Sequence, residues 1–166
     1  MANSSISHKI KKRESPNDIF ITPVDLCKKA ISMIDYNDGD IWLDPFKNTG
    51  NYYNNFPTEK KEWCEILDNK DFFEYKSETD IICSNPPYSM LDDVIKKSIS
   101  LNPRVINYLI GVGNLTARRI EIFNNSNYGL TKIHLCKVYK WYGMSIIVQF
   151  EKNKENIISF DRVVWK

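Results

Sequence analysis

The chain has 166 residues, of which 42% are hydrophobic and 13% aromatic, so it fits one globular domain and not a disordered protein. Its net charge of +2 is close to neutral, and any nucleic-acid binding would have to come from a local basic patch. The sequence shows no signal peptide and no long apolar span, and we expect a soluble, cytoplasmic protein without a membrane partner.

The cysteines argue against a metal centre. Four of them, at positions 27, 64, 83 and 136, are widely scattered, and the chain has two histidines. No Cys-x-x-Cys spacing occurs, which disfavours both a zinc site and a disulfide framework. We therefore expect no metal, and thiols that are buried as small apolar groups.

The chain opens with a polar segment and a helix. Residues 1–16 are polar and basic and predict an N-terminal arm, after which residues 17–166 form a single domain. Apolar residues recur with helical spacing over 22–34, with Thr22 as the expected cap and Pro23 in the first turn.

Short apolar runs then predict four buried strands. The runs lie at 39–46, 61–67, 79–87 and 104–111, and helical spacing covers 89–101 between the last two. Strands that are apolar on both faces and alternate with helices indicate a parallel sheet that is covered on both sides.

The last third of the chain completes the sheet. Residues 114–126 predict a helix that begins at an Asn or Thr cap, and residues 130–139 and 143–152 predict late strands that pair antiparallel at the sheet edge. The predicted fold class is α/β, with a doubly wound, mostly parallel sheet that has an antiparallel edge strand.

Two unusual stretches fall where predicted strands end. The stretch LDPFKNTG occupies residues 43–50, and SNPPY occupies residues 84–88. Ligands of doubly wound sheets bind beyond the carboxyl ends of the strands. We therefore expect both stretches to contribute to one site.

The SNPPY stretch predicts a rigid loop. Each proline fixes its own φ, removes a backbone donor and holds the preceding residue extended. The loop therefore offers acceptors, namely its carbonyls and the side-chain carbonyl of Asn85, beside the ring of Tyr88. Such a set suits a planar ligand that carries an NH2 group, whereas the alternative interpretation is an ordinary turn after a strand.

An amine on an aromatic ring needs this kind of help to be alkylated, because its lone pair is delocalised into the ring. Acceptors for both amine hydrogens favour a more tetrahedral nitrogen and hold its lone pair toward the electrophile. Such orientation contributes roughly 7 kcal/mol or more in the best aligned cases. The positive charge develops on nitrogen and the proton leaves later, so the chemistry requires no strong general base.

On these motifs the chain resembles the S-adenosylmethionine-dependent amino-group methyltransferases, and most closely the DNA N6-adenine methyltransferases of phages, viruses and bacteria. The resemblance covers roughly residues 17–151, in the family's order. DIFITP, LDPFKNTG, WCEILDNKDFF, SNPPYS and WYGMSIIVQFEK are similar to the family's N-terminal, cofactor-loop, ribose and adenine, catalytic and closing-hairpin segments.

The resemblance implies a Rossmann-like class I methyltransferase sheet with S-adenosyl-L-methionine as cofactor. It implies cofactor-binding roles for Thr22, Pro23, Asp44, Pro45, Phe46, Gly50, Glu65, Asp71, Phe72 and Asn85. Asp44 would pair with the ammonium group of the cofactor, directly or through water. Glu65, or alternatively Asp68, would accept hydrogen bonds from the ribose. Asp71 and Phe72 would contact the adenine ring.

The resemblance also implies a catalytic loop made of Asn85, Pro86, Pro87 and Tyr88. Asn85 and the Pro86 carbonyl would hold the target amine, and Tyr88 would stack on the target base. An adenine in duplex DNA would have to be flipped out to reach this loop.

The chain departs from the family pattern at two places. Asn48 stands where the family has the first glycine of its cofactor loop. Asn tolerates a positive φ better than other non-glycine residues, so we expect the turn to be kept, although the change would alter the close backbone approach to the cofactor. Only residues 67–70 separate the ribose and adenine motifs, where the family normally has a helix.

The domain leaves no room for a separate target-recognition domain, so the DNA would be recognised by loops of this domain, by a partner subunit or by a homodimer. Basic and aromatic residues interleave near two of the late motifs, as in nucleic-acid grooves. The candidate nucleic-acid-binding residues are Arg118, Arg119, Lys137, Lys140 and Trp141. The alternative is a solvated helix face followed by a buried edge strand.

Three functions therefore remain open from the sequence. The first is an adenine-specific DNA methyltransferase. The second is a methyltransferase of RNA bases or of protein glutamine that uses the same loop. The third is an inactive subunit that keeps the fold within a nucleic-acid-binding complex.

Overall fold

The computed structural model describes residues 20–139 and 141–163. The predicted basic arm over 1–16 and the candidate DNA contact Lys140 lie outside the described residues. The described part contains six strands in one sheet and three α-helices.

The helices and strands follow the predicted order. The strands are β1 (Trp42–Asp44), β2 (Lys61–Trp63), β3 (Ile81–Ser84), β4 (Val105–Gly111), β5 (Tyr128–Cys136) and β6 (Ser145–Lys152). The helices are α1 (Val24–Ser32), α2 (Leu91–Ser100) and α3 (Ala117–Asn124).

The sheet has the strand order β2-β1-β3-β4-β6-β5. Strands β2, β1, β3 and β4 are mutually parallel, and β6 is antiparallel to both β4 and β5. The predicted class, mostly parallel with an antiparallel edge, is confirmed. The reversed strand is β6, which lies between β4 and the outermost strand β5.

Helices cover both faces of the sheet because its central strands are apolar on both faces. All residues of β1 and β3 are buried, as are six of the seven in β4. One face packs against α1 through Cys27, Ala30 and Ile31. The opposite face packs against α2 and α3, which contribute five buried side chains: Leu91, Val94, Ile95, Ile120 and Phe123.

The start of α1 differs from its prediction. Pro23 is the residue that precedes the helix, and no side chain caps this end. Thr22 was expected to cap it, but the Thr22 hydroxyl accepts a hydrogen bond from Asn85 instead, at 3.2 Å. At α3 the expected cap is confirmed, because the Thr116 side chain accepts from the Arg119 amide.

The sheet has a topological switch point between β1 and β3. The chain places β2 on one side of β1 and β3 on the other, so the connections leave in opposite directions. The two strands run parallel and pair Leu43 with Ile82, which brings their carboxyl ends together. A crevice at such a point is the usual ligand site of an open α/β sheet.

Candidate active site

A cavity of about 230 Å³ lies beyond the carboxyl ends of β1 and β3. Its wall comes from four parts of the chain: residues 20–22, residues 46–49 with 51–52, residues 65–68, and Asn85 with Pro87. Both sequence stretches singled out above therefore meet at one site, although not every residue of each stretch reaches the wall.

Asp44, the last residue of β1, is a buried carboxylate behind the cavity wall. It is 0% exposed, and its Oδ1 accepts from the Ser84 hydroxyl at 2.7 Å and from the Phe46 amide at 3.3 Å. Its Oδ2 has no hydrogen-bond partner of ordinary geometry among the described residues, although the Tyr53 backbone amide interacts with the carboxyl and lowers its pKa. Burial raises the pKa of Asp44 to about 7, and the nearby Glu65 carboxylate acts in the same direction.

The loop after β1 keeps its turn without the first glycine. Asn48 has a φ of 46° and Gly50 a φ of 85°, so both lie in the left-handed region. This confirms that Asn48 adopts a positive φ. A Cβ at Gly50 would also come within 3.0 Å of the Asn54 side-chain nitrogen, so both conformation and space favour glycine there.

Glu65 fixes two loops against each other. Its Oε2 accepts from the Asn48 amide at 3.0 Å, and its Oε1 accepts from the Leu67 amide at 3.2 Å. Asp68 also reaches the cavity wall and is exposed. Both ribose candidates therefore line the cavity, and the choice between them stays a prediction.

The structure does not bring Asp71 and Phe72 to the cavity wall. Phe72 is 0% exposed and packs edge-on against Phe46, with ring centroids 5.3 Å apart. The Asp71 carboxylate accepts from the Phe73 amide at 2.9 Å and caps a short turn. In their place Ile66 and Leu67 line the cavity. Their position directly after Glu65 was the available signal for this apolar wall.

The Asn85 side chain has a fixed orientation. Its Nδ2 donates to the Phe20 backbone oxygen at 3.4 Å and to the Thr22 hydroxyl at 3.2 Å. Because a carbonyl oxygen only accepts, the end of the amide that faces Phe20 must be the NH2 group. The other end, Oδ1, is buried and has no partner among the described residues.

Tyr88 follows the two prolines and begins a short turn over Tyr88–Met90. Burial raises the pKa of its phenol to about 12, so the hydroxyl stays neutral near pH 7. Its ring lies nearly parallel to that of Phe20, at 24° with centroids 6.1 Å apart. Trp141 in turn contacts Phe20, with centroids 5.2 Å apart.

Phe20 is therefore a site residue that the sequence reasoning missed. Its ring links Tyr88 to Trp141, and its carbonyl holds the Asn85 amide. The available signal was an aromatic residue two positions before Thr22, within a segment already assigned to the cofactor site.

Three of the predicted nucleic-acid residues, Arg118, Arg119 and Lys137, have polar partners within the chain. Arg118 and Arg119 both pair with Asp92, and Arg119 also donates to the Asn114 backbone oxygen at 2.8 Å. The Lys137 ammonium donates to backbone oxygens of the loop after β5, those of residues 141 and 143. Of the described members of the predicted set, Trp141 is the one that contacts a residue of the cavity wall, Phe20.

The described residues contain no candidate metal centre and no candidate membrane span. No group of three or more His, Cys, Asp or Glu side chains in 20–139 and 141–163 is placed to hold a metal ion. Over the same part of the chain, no helix combines the length and apolar character that a membrane span requires.

The sheet order, the helices on both faces and the cavity at the switch point define the Rossmann-like fold of the class I methyltransferases. Solved structures of methyltransferases have a similar fold. A precorrin-6y C5,15-methyltransferase from Geobacter metallireducens is 15% identical with a TM-score of 0.59, over 80% of this chain and 89% of that one. A magnesium protoporphyrin IX methyltransferase from Synechocystis, solved with bound SAH, is 9% identical with a TM-score of 0.58, over 90% and 94%.

A third similar structure, from Vibrio vulnificus, is described as a modification subunit of a type I restriction enzyme. It is 13% identical with a TM-score of 0.57, and the match covers 92% of this chain but 48% of that one. Identities this low establish the fold alone. No family model matches the chain, and no curated protein sequence matches it.

Proposed function

We propose that the chain is an S-adenosylmethionine-dependent N-methyltransferase that acts on the exocyclic N6 amine of adenine in DNA. One observation carries the proposal. Asn85 stands at the wall of the switch-point cavity with its amide held so that Oδ1, a buried acceptor without a partner among residues 20–139 and 141–163, is left for a ligand. A buried acceptor of this kind is costly unless a donor meets it, and an amine is such a donor.

The residues that line the cavity, together with Asp44 behind its wall, fit the cofactor. Asp44 offers a buried carboxylate oxygen that an ammonium group would satisfy, directly or through one water molecule. Glu65 and Asp68 offer acceptors for ribose hydroxyls, and the apolar side chains of Ile66 and Leu67 offer a surface for adenine. The similar Synechocystis enzyme was solved with bound SAH, the demethylated form of this cofactor.

The loop orients the target amine and removes no proton from it before the methyl group is transferred. Asn85 Oδ1 and the Pro86 carbonyl would accept the two amine hydrogens and hold the nitrogen lone pair toward the cavity. When bound, S-adenosylmethionine supplies the methyl group, whose bond to sulfur breaks with its electrons left on sulfur as the bond to nitrogen forms. The amine then loses one proton to solvent, so the loop needs no basic side chain.

The aromatic residues favour a base as the substrate. The rings of Tyr88, Phe20 and Trp141 contact one another in series and form one aromatic cluster beside Asn85, which donates to the Phe20 backbone oxygen. Stacking of a base on an aromatic side chain contributes about 1–3 kcal/mol. The preference for DNA rests on the resemblance of the DPF start of the cofactor loop and of the compressed EILDNKDFF segment. Recognition of a target sequence would fall to these loops or to a partner subunit.

The direct test is to incubate the purified chain with methyl-labelled S-adenosylmethionine and four substrates in parallel: unmethylated duplex DNA, single-stranded DNA, structured RNA and a cell protein extract. We expect label in DNA, recovered as N6-methyladenine. Label in RNA or protein would overturn the substrate but keep the amine chemistry. No label and no cofactor binding would overturn the methyltransferase proposal itself.

Two substitutions at Tyr88 separate its ring from its hydroxyl. Tyr88→Ala should raise the KM for the nucleic acid by about 5- to 150-fold, the equivalent of the 1–3 kcal/mol that stacking contributes. Tyr88→Phe should stay within about twofold of the wild type, because stacking needs only the ring. Steady-state kinetics on the best substrate checks both values. An inactive Tyr88→Phe variant would assign the role to the hydroxyl.

A further inference from the structure

Thr22 is a buried polar residue at the junction of two parts of the site. It is 5% exposed, and its hydroxyl oxygen lies 3.2 Å from Asn85 Nδ2. Its backbone oxygen accepts from the Asn51 side chain at 2.8 Å. Thr22 therefore connects the catalytic loop to the loop after β1. The hydrogen bond from Asn51, in the loop after β1, holds the Thr22 backbone in place.

The orientation of an asparagine amide depends on its partners, because its two ends have nearly the same shape. If the Asn85 amide turned over, Oδ1 would face the Phe20 oxygen, and two acceptors would oppose each other. Nδ2 would then be presented to the ligand and would repel an amine hydrogen. The Phe20 bond is long, at 3.4 Å, so the Thr22 bond at 3.2 Å is the shorter of the two that hold the amide.

We propose that Thr22 is a positioning residue: the Phe20 oxygen, which can only accept, sets which end of the Asn85 amide faces it, and the Thr22 hydroxyl holds that end in place. The amide oxygen is thereby directed toward the ligand, and the site accepts targets whose reacting atom carries N–H donors. This inference rests on the proposed function and differs from the role that the resemblance implies for Thr22, which is a cofactor contact. Removal of the hydroxyl should lower kcat if Thr22 positions Asn85, and should weaken cofactor binding if Thr22 contacts the cofactor.

Thr22→Val removes the hydroxyl at almost constant volume, and Thr22→Ser keeps it. We expect Thr22→Val to lower kcat by about 10- to 100-fold, as a small misplacement of a reacting group does. The Kd for SAH, measured by calorimetry, should change less than about twofold, and Thr22→Ser should restore kcat. A loss in the Kd for SAH with kcat unchanged would overturn the proposal and make Thr22 a cofactor contact.

A second measurement needs neither activity nor cofactor. The side-chain NH2 signals of Asn85 can be observed by ¹H–¹⁵N NMR on the full chain and assigned from their absence in Asn85→Ala. We expect Thr22→Val to shift these signals and Thr22→Ser to leave them close to their wild-type positions. The matched control is Thr49→Val, which removes another hydroxyl from the cavity wall and should not move them.

The outcomes distinguish the two proposals. Unmoved Asn85 signals in Thr22→Val would overturn the positioning role even if the enzyme is active. A wild type that methylates none of the four substrates and does not bind the cofactor would overturn the proposed function, while the NMR comparison would still decide whether the Thr22 hydroxyl holds the Asn85 amide in place.

Discussion

Asn85→Ala should lower methyl transfer by about 1,000-fold, close to background, while the fold is kept. Loss of one preorganised hydrogen-bonding group that acts on the reacting centre costs about 10²–10³ in kcat in other enzymes. Here the same side chain supplies the acceptor for the amine and, through Nδ2, the link to residues 20–22. Transfer of label from S-adenosylmethionine to the best substrate measures the loss.

The fold should tolerate this change because Asn85 is only partly buried and stands at a cavity wall. We expect a loss of about 1 kcal/mol in the free energy of unfolding, the typical net value of one hydrogen bond. The Kd for SAH should stay within about tenfold of the wild type. Both values can be measured on the sample used for activity.

The matched control is Asn125→Ala. Asn125 is exposed at the end of α3, whereas the cavity lies beyond the carboxyl ends of β1 and β3. This variant should keep wild-type activity. If Asn85→Ala retains more than about a tenth of the activity, Asn85 is not the central residue, and the amine must be held by backbone carbonyls alone.

The helices and strands and their order along the chain were accessible from the sequence because they depend on hydrophobic periodicity. Continuous apolar runs predicted four strands buried on both faces, and the structure confirms this in β1, β3 and β4 but not in the edge strand β2, none of whose three residues is buried. The doubly wound arrangement also predicts which strand ends meet, and it therefore predicted that Asp44 and Asn85 contribute to one site. In the structure, the hydroxyl of Ser84, the residue before Asn85, donates a hydrogen bond to Asp44.

Contacts that depend on the path of a loop were not accessible. Between β2 and β3 the chain makes a left-handed turn at Asn69 and a bridge between Glu65 and Lys70, which turns residues 66–67 toward the cavity. Asp71 then caps a turn and Phe72 enters the core. No periodic pattern encodes such a path.

Charge partners were missed for a similar reason. In the sequence Arg118 and Arg119 predict a positively charged surface, but Asp92, at the start of a different helix, pairs with both of them. The pairing depends on how α2 and α3 pack, which a one-dimensional reading of charges does not include. A DNA surface built on these residues would have to compete with Asp92 for them.

Cofactor binding should depend on pH through Asp44. Burial, with the Glu65 carboxylate adding to it, raises the pKa of Asp44 from its ordinary 3.8 to about 7. The other titratable groups that interact with it electrostatically are thiols and phenols, which stay neutral near pH 7 because burial raises their pKa values as well. They are Cys27, Tyr52, Cys64, Cys83 and Tyr108.

The sign of the effect follows from which form binds the ligand. An ammonium group pairs with the ionised carboxylate, so below about pH 7 a proton must leave Asp44 before the pair forms. The affinity for SAH should therefore fall by up to tenfold for each pH unit below 7, about 100-fold at pH 5, and level off above pH 7. Calorimetric titrations from pH 5 to pH 8 measure this slope.

Asp44→Asn should remove the slope and weaken SAH binding by at least about 100-fold, because loss of one partner of a buried ion pair costs about 3–5 kcal/mol. The ligand-free protein gives an independent check. Since the folded pKa is raised, the contribution of Asp44 to stability is present below about pH 4 and is lost as the pH rises to about 7. Wild type should thus lose stability relative to Asp44→Asn over this range in urea unfolding. A flat affinity profile with this stability change intact would mean that Asp44 is a buried structural acid and that the ammonium group binds elsewhere.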